Sequence, residues 1–398
     1  MSTENSLLQL LGCGSSDLLP EFNENKWLEI IELAGKQHVI PYLYYHLKEI
    51  GALGLIPAES KDVLLQSFKQ STFRNMAIIA EFRRIADAFN QKGIDVIGLK
   101  GLQLVQDVIY PHVGLRFMRD IDLLVPLKQL RNAHDISLSL GYMPEENIHD
   151  TDLHIKYHHH IPQQFNYEKN IVLELHGYLE NVMRIDPAFW WESVKKFEHK
   201  IFLDDEKLLL HLCLHISYSD MFKTDLRHYL DIYMILKKKA INWKQFMSMA
   251  QEMGLAKGVL IVLDIVSTLF GLKLPKEVDS FIVRDEYHEE SIKYAIEFMW
   301  QYRKSSKYYE QYRSKMFLTD EPILKRFFKR VFIPKEELCC QYSLRLSSGM
   351  LYMYYFVRIY DLFKRHFIST IKSKTDQKQI DVIAKTKILH AYLFKNKD

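Results

Sequence analysis

Residues that break helices are scarce in this chain, with 15 glycines and 11 prolines among 398 residues. Ordinary proteins carry roughly 7% glycine and 5% proline. So few stops exclude collagen-like and linker-rich architectures and disfavour an all-β fold built on tight turns. They predict long helices. The 48% hydrophobic content is that of a chain that folds and buries a core.

Helical spacing dominates both ends. In 27–50 the apolar positions Leu28, Ile31 and Leu33 recur at helical intervals, and Pro41 is placed to open a second helix. Residues 67–93 read as one amphipathic helix stopped by Gly93. The pattern then changes. DVIGLKG (95–101) and DIDLLVP (120–126) read as buried strands, with a short helix at 102–110 and a loop opened by Pro111 between them. A helix at 127–142 ends at Gly141, and 154–179 reads as two strands turning near Glu168–Asn170. From 203 the pattern is helical again, with Asp204 or Asp205 as the first cap and interruptions at Pro322 and Pro334. The expected fold class is α+β. A small mixed sheet (94–202) lies between N-terminal helices (1–93) and a large C-terminal helical region (203–398).

Asp120-Ile121-Asp122 carries the most chemistry. On a strand, residues i and i+2 share a face, about 6.5–7 Å apart. Two carboxylates so placed repel and raise each other's pKa unless a cation separates them. Magnesium suits that role because it takes carboxylate oxygens together with phosphates. Gly98-Leu99-Lys100-Gly101 ends the preceding strand, where glycines let a backbone approach a phosphate and Lys100 adds a point charge. Arg116 and Arg119 precede the aspartates and are candidates to pair with a triphosphate. Glu174 is the natural third carboxylate or a general base, and His176 shares its face.

The segment 94–142 resembles a largely uncharacterised bacterial nucleotidyltransferase family of the DNA polymerase β-like superfamily. The matching positions are Leu99-Lys100-Gly101, Tyr110, Arg116, Asp120 to Val125 and Gly141-Tyr142, followed by Glu174 to Gly177. The stretches 208–215 and 226–236 resemble the helices that follow, so the likeness spans about 25–240. It implies a metal-dependent enzyme that moves a nucleoside monophosphate from an NTP, with ATP the first candidate, to a hydroxyl-bearing acceptor. It implies two Mg2+ ions, with Mn2+ as the alternative, held by Asp120, Asp122 and Glu174. The triphosphate then falls to Gly98, Lys100, Gly101, Arg116, Arg119 and His176. The superfamily's glycine-serine pair is replaced by Lys100-Gly101, and 18 residues separate it from Asp120. A non-catalytic nucleotide- or RNA-binding protein that keeps the fold is the competing reading.

Other signals are weaker. His158-His159-His160 alternate faces on a strand, so at most two of them converge. His211 and His215 share a helix face, a spacing open to a ligand pair, but among leucines they read more readily as core histidines. Asp231 with Arg227 reads as an intrahelical pair or a base or ribose contact. Cys13, Cys213, Cys339 and Cys340 form no C-x-x-C and read as reduced thiols. No membrane span and no secretory signal are evident, so the expected compartment is the cytoplasm. Residues 301–398 hold 21 Lys+Arg against 9 Asp+Glu, a net +12, whereas the first 300 net −9. A basic end that mixes Lys325, Arg326, Lys329 and Arg330 with Phe327 and Phe328 suggests weak polyanion binding or a solvated helix. The apolar run 350–357 favours packing.

Overall fold

The computed structural model describes all residues except 13–20, 146–160, 180–184, 198–199, 282–283, 302–322, 343, 346–348, 376 and 395–398. Cys13 and His158 to His160 therefore lie outside the described residues.

Four helices open the chain: α1 (Thr3–Leu10), α2 (Glu24–Lys36), α3 (Ile40–Glu49) and α4 (Ala58–Asn90). Ser2 and Asn23 cap the first two by accepting the amides of Asn5 and Lys26. Pro41 sits in the first turn of α3, where its missing N–H costs nothing. The buried stripe of α2 is Trp27, Ile30, Ile31 and Ala34, and Leu28 faces outward. The large indole thus sets the face, one position from the expected Leu28. Helix α4 starts well before residue 67, and beyond it Gly93 at φ +70° turns the chain toward the sheet.

The sheet is mixed and has seven strands: β1 (Ile97–Gly98), β2 (Asp120–Leu124), β3 (Met143–Pro144), β4 (Gln164–Asn166), β5 (Ile171–His176), β6 (Lys195–Phe197) and β7 (Lys200–Phe202). Their order is β3-β4-β5-β2-β1-β7-β6. The pairs β2–β5 and β1–β7 are parallel, and the rest are antiparallel. Helices α5 (Lys100–Gln106) and α6 (Leu130–Ser139) follow β1 and β2.

Strand alternation divides the core into two layers. Ile121, Leu123 and Val125, with Ile171, Leu173 and Leu175, pack against Ile78, Phe82 and Phe89 of α4 and Leu130 and Ala133 of α6. The opposite face carries Asp120, Asp122 and Leu124, with Val172, Glu174 and His176 aligned beside them. Leu124 belongs to the larger apolar cluster, built mostly from the terminal helices.

The C-terminal helices run Asp205–Leu214, Leu226–Lys238, Trp243–Glu252, Ala256–Phe270, Glu286–Gln301, Ile323–Val331, Lys335–Tyr342, Leu351–Thr375 and Gln377–Phe394. Asp204 caps the first by accepting the Lys207 amide at 2.7 Å. His215–Ser219 continue it as a π-helical turn, and His211 is buried beside Trp190 and His215. Ala256–Phe270 is apolar nearly all round and runs through the core. Cys213 and Cys339 are buried thiols. No helix among the described residues is long and apolar enough to cross a membrane.

The last helix docks on this core through buried Leu389 and Leu393, a Lys385–Glu297 ion pair at 2.7 Å and a Tyr392–His288 hydrogen bond at 2.9 Å. The run 350–357 behaves otherwise than expected. Leu351 is buried, but Met350, Tyr352, Met353, Phe356 and Val357 are exposed. Replacing Leu389 by alanine is expected to cost about 2–5 kcal/mol, the usual range for emptying a core leucine site. An unchanged urea midpoint would show that this helix does not stabilise the fold.

Candidate active site

Parallel pairing of β2 with β5 puts Asp122 opposite Glu174 and Asp120 opposite Val172. Since aligned residues of neighbouring strands share a face, three acids and His176 converge on one side of the sheet. Leu123 and Leu175 point to the other side and anchor both strands in the inner layer. Lys100 enters from the turn after β1, where the Leu99 amide donates to the Asp122 carbonyl at 3.1 Å.

Asp122 is the hub. Its Oδ1 accepts from Lys100 Nζ at 2.8 Å and lies 3.1 Å from His176 Nε2. His176 Nε2 also lies 3.4 Å from Glu174 Oε2, and Gln163 Nε2 donates to Glu174 Oε1. Asp122 and His176 are 5% and 4% exposed, which keeps these charges in a weakly screened setting.

The environment separates the three acids. Burial alone would raise Asp122, but Lys100 and His176 outweigh it and hold the carboxyl well below its ordinary range. Glu174 is also lowered, because His176 and Lys100 overcome burial and the Asp122 charge. Asp120 goes the other way, to about 6, through burial and then the charges of Asp122 and Glu174. Burial opposes the charged forms of His176 and Lys100, yet the carboxylates raise both.

Folded Asp120 therefore keeps its proton to about pH 6, whereas an unfolded aspartate releases it near about pH 4. Between those values the folded state binds more protons, so stability of the metal-free protein falls as pH rises, and the cost persists above pH 6. Asp120→Asn removes that cost. In chelator at pH 7.5 it is expected to stabilise by an amount on the order of 2 kcal/mol, narrowing toward pH 4. Equal melting shifts at both pH values would refute the raised Asp120.

The donor set suits a divalent cation. One ligand atom each from Asp122, Glu174 and His176 lies within 4.8 Å of the other two. Two carboxylates and an imidazole are ordinary ligands for such ions. Asp120 shares their face of the sheet but is not one of these three converging donors, among which His176 stands beside two of the expected acids.

The phosphate-binding expectations meet a different arrangement. Arg116 is buried in a two-point ion pair with Asp231, Nη2 to Oδ2 at 2.8 Å and Nε to Oδ1 at 3.2 Å, and Tyr110 donates to the same carboxylate at 2.7 Å. Its guanidinium is spent on holding the loop before β2 to helix Leu226–Lys238. Asp231 accordingly pairs with Arg116 and not with Arg227, which lies 3.3 Å from Asp225. Gly98 leaves room for Leu102, Phe202 and Phe82, and Gly101 for Arg116 and Met118, so their missing side chains serve close packing. Arg119 meets His38 Nε2 and lies over the Phe117 ring.

A second polar centre escaped the sequence. Buried Asp225 holds His38 Nδ1 at 3.0 Å and His228 Nδ1 at 3.1 Å besides Arg227. Asp225 occupies an N-cap position yet makes no capping bond, forgoing about 1 kcal/mol of helix stabilisation. A capping residue next to Arg227 and His228 was the only local signal. The Arg227 charge opposes the rise of the Asp120 carboxyl, so this centre borders the acids.

A family model described as uncharacterised nucleotidyltransferase matches residues 23–271. No curated protein and no solved structure matches the chain.

Proposed function

From the premise that this chain belongs to the uncharacterised nucleotidyltransferase family, we propose that Asp122, Glu174 and His176 hold a divalent ion for transfer of a nucleoside monophosphate. Nucleotidyl transfer is the family's activity and implies an NTP substrate. Mg2+ is the proposed ion, with Mn2+ the alternative favoured by the imidazole donor. ATP is the proposed donor, and a hydroxyl group on a small molecule, protein or RNA end is the acceptor class.

The convergence of Asp122, Glu174 and His176 carries this reading. Bound there, the ion supplies Lewis-acid polarisation of the phosphoryl group. Asp122 and Glu174, both held ionised, provide the anionic ligands. Gln163 and His176 fix the Glu174 carboxylate by hydrogen bonding. Asp120, at about 6, is the acid of the set whose basicity suits taking a proton near neutral pH. In the proposed step the acceptor oxygen bonds to the α-phosphorus and passes its proton to Asp120. The bond to the β-phosphate oxygen breaks, and pyrophosphate leaves. Lys100 and Arg119 are the side chains proposed to meet the phosphates.

Incubation of the protein with α-labelled ATP, Mg2+ and a cell extract tests this. Label is expected in an acceptor fraction, and Glu174→Gln is expected to lower its yield by about a hundredfold or more. Label absent with all four nucleotides and with either ion would defeat the enzymatic reading. A thermal shift with ATP alone then isolates a binder, since a hundredfold excess over Kd stabilises by about 2.7 kcal/mol.

A further inference from the structure

We propose that Lys100 is a tethered counter-cation that occupies the acidic site until a triphosphate draws its ammonium away, making divalent ion and nucleotide bind cooperatively. The inference rests on the nucleotidyl-transfer reading above and concerns the order in which that site fills.

Asp122 Oδ1 receives the Lys100 ammonium at 2.8 Å while the His176 ring nitrogen lies 3.1 Å away. Asp122 is a member of the only trio among the described residues whose donors converge for a metal. One of the two carboxylate oxygens that Asp122 offers an incoming ion is therefore already engaged by an internal positive charge. Glu174 and Asp120 also attract Lys100, so the ammonium is the counter-charge for the whole set of acids. A divalent ion cannot share this pocket with it without strong repulsion, because the site is poorly screened.

The backbone supports a dedicated role. Lys100 adopts φ +48°, a left-handed conformation that glycine takes freely and a side-chain-bearing residue takes at a cost. The turn after β1 nevertheless carries a lysine, and its ammonium lies on Asp122. A lysine is a point charge on a flexible four-carbon stem. Triphosphate oxygens arriving over the acids offer that charge a new partner and free Asp122 for the ion. By linkage, whatever factor the nucleotide adds to ion affinity, the ion adds to nucleotide affinity.

Mn2+ binding to the full-length protein, followed by electron paramagnetic resonance, tests the proposal. Measurements are made with and without adenosine 5′-(α,β-methylene)triphosphate and corrected for Mn2+ held by free nucleotide. The wild type is expected to bind Mn2+ weakly alone and about tenfold tighter with the analogue. Lys100→Met is expected to bind Mn2+ about tenfold tighter without nucleotide, and to gain little from the analogue. Lys100→Gly removes the same charge while accepting the left-handed backbone, so it gives the same readout should the methionine variant fold poorly. Lys100→Arg keeps a cation and is expected to bind Mn2+ no tighter than the wild type. Equal Mn2+ affinity in the wild type and both neutral variants would overturn the gating role while leaving the metal site intact. Absence of Mn2+ binding from every protein, with or without the analogue, would overturn both the gate and the metal reading beneath it.

Discussion

Asp122→Asn is expected to lower kcat for nucleotidyl transfer by about a thousandfold or more while leaving the fold in place. Asp122 is the one acid that faces Glu174 across the strand pair, touches Lys100 and lies beside His176. An amide of the same shape removes the strongest ion ligand and turns one acceptor oxygen into a donor facing another donor. Stability suffers far less, because Lys100 keeps the attraction of Glu174 and Asp120 and one of the repelling charges is gone. A metal titration and a melting curve on the same sample check both halves. Near-wild-type turnover would remove Asp122 from the ion's ligands.

The largest effect on stability is expected at Asp231. Asp231→Ala strands the buried Arg116 guanidinium and the Tyr110 hydroxyl at once. Breaking a buried pair from one side typically costs about 3–5 kcal/mol. Arg116→Ala is expected to cost a similar amount for the converse reason. The double replacement Arg116→Met with Asp231→Leu removes both charges and is expected to recover much of the loss. Urea unfolding of Arg116→Met, Asp231→Leu and their combination closes a coupling cycle. Additive losses would show that the two groups do not depend on each other.

The contrast between these positions shows what a chain reveals on inspection. Asp120, Asp122, Glu174 and His176 were legible because strand alternation is a local pattern, and two short segments displayed it. Their meeting was not legible, since the alignment of Asp122 with Glu174 is a property of sheet pairing. Arg116 looked like a phosphate ligand because it stands in a loop near the aspartates. Its partner lies on a helix 115 positions away, and no spacing rule connects them. Arg227 and Asp231 show the reverse, a helical interval that suggested a bond where Asp231 pairs with distant Arg116 and Arg227 turns to Asp225 and the Phe117 carbonyl. Strands β3, β6 and β7 are two or three residues long, too short to display alternation. The glycines at 98 and 101 were visible as glycines, but the side chains filling their space come from other elements. The α+β class and the helical ends needed only periodicity and the scarcity of breakers.

The parallel alignment of β2 and β5 has a kinetic consequence. A parallel neighbour cannot be reached by a tight turn, and here the connection carries α6, β3 and β4 before the chain returns. Pairing of this kind closes a long loop before any contact rewards it, so it belongs to the slow part of folding. The hydrogen bonds within each flanking helix are local, so helical segments are free to form early, before they pack. Helical circular dichroism should consequently return ahead of the capacity to bind Mn2+ when the denatured chain is diluted into buffer. In the unpaired chain Asp122 and Glu174 are strangers, and the acids acquire their mutual repulsion only as the strands close.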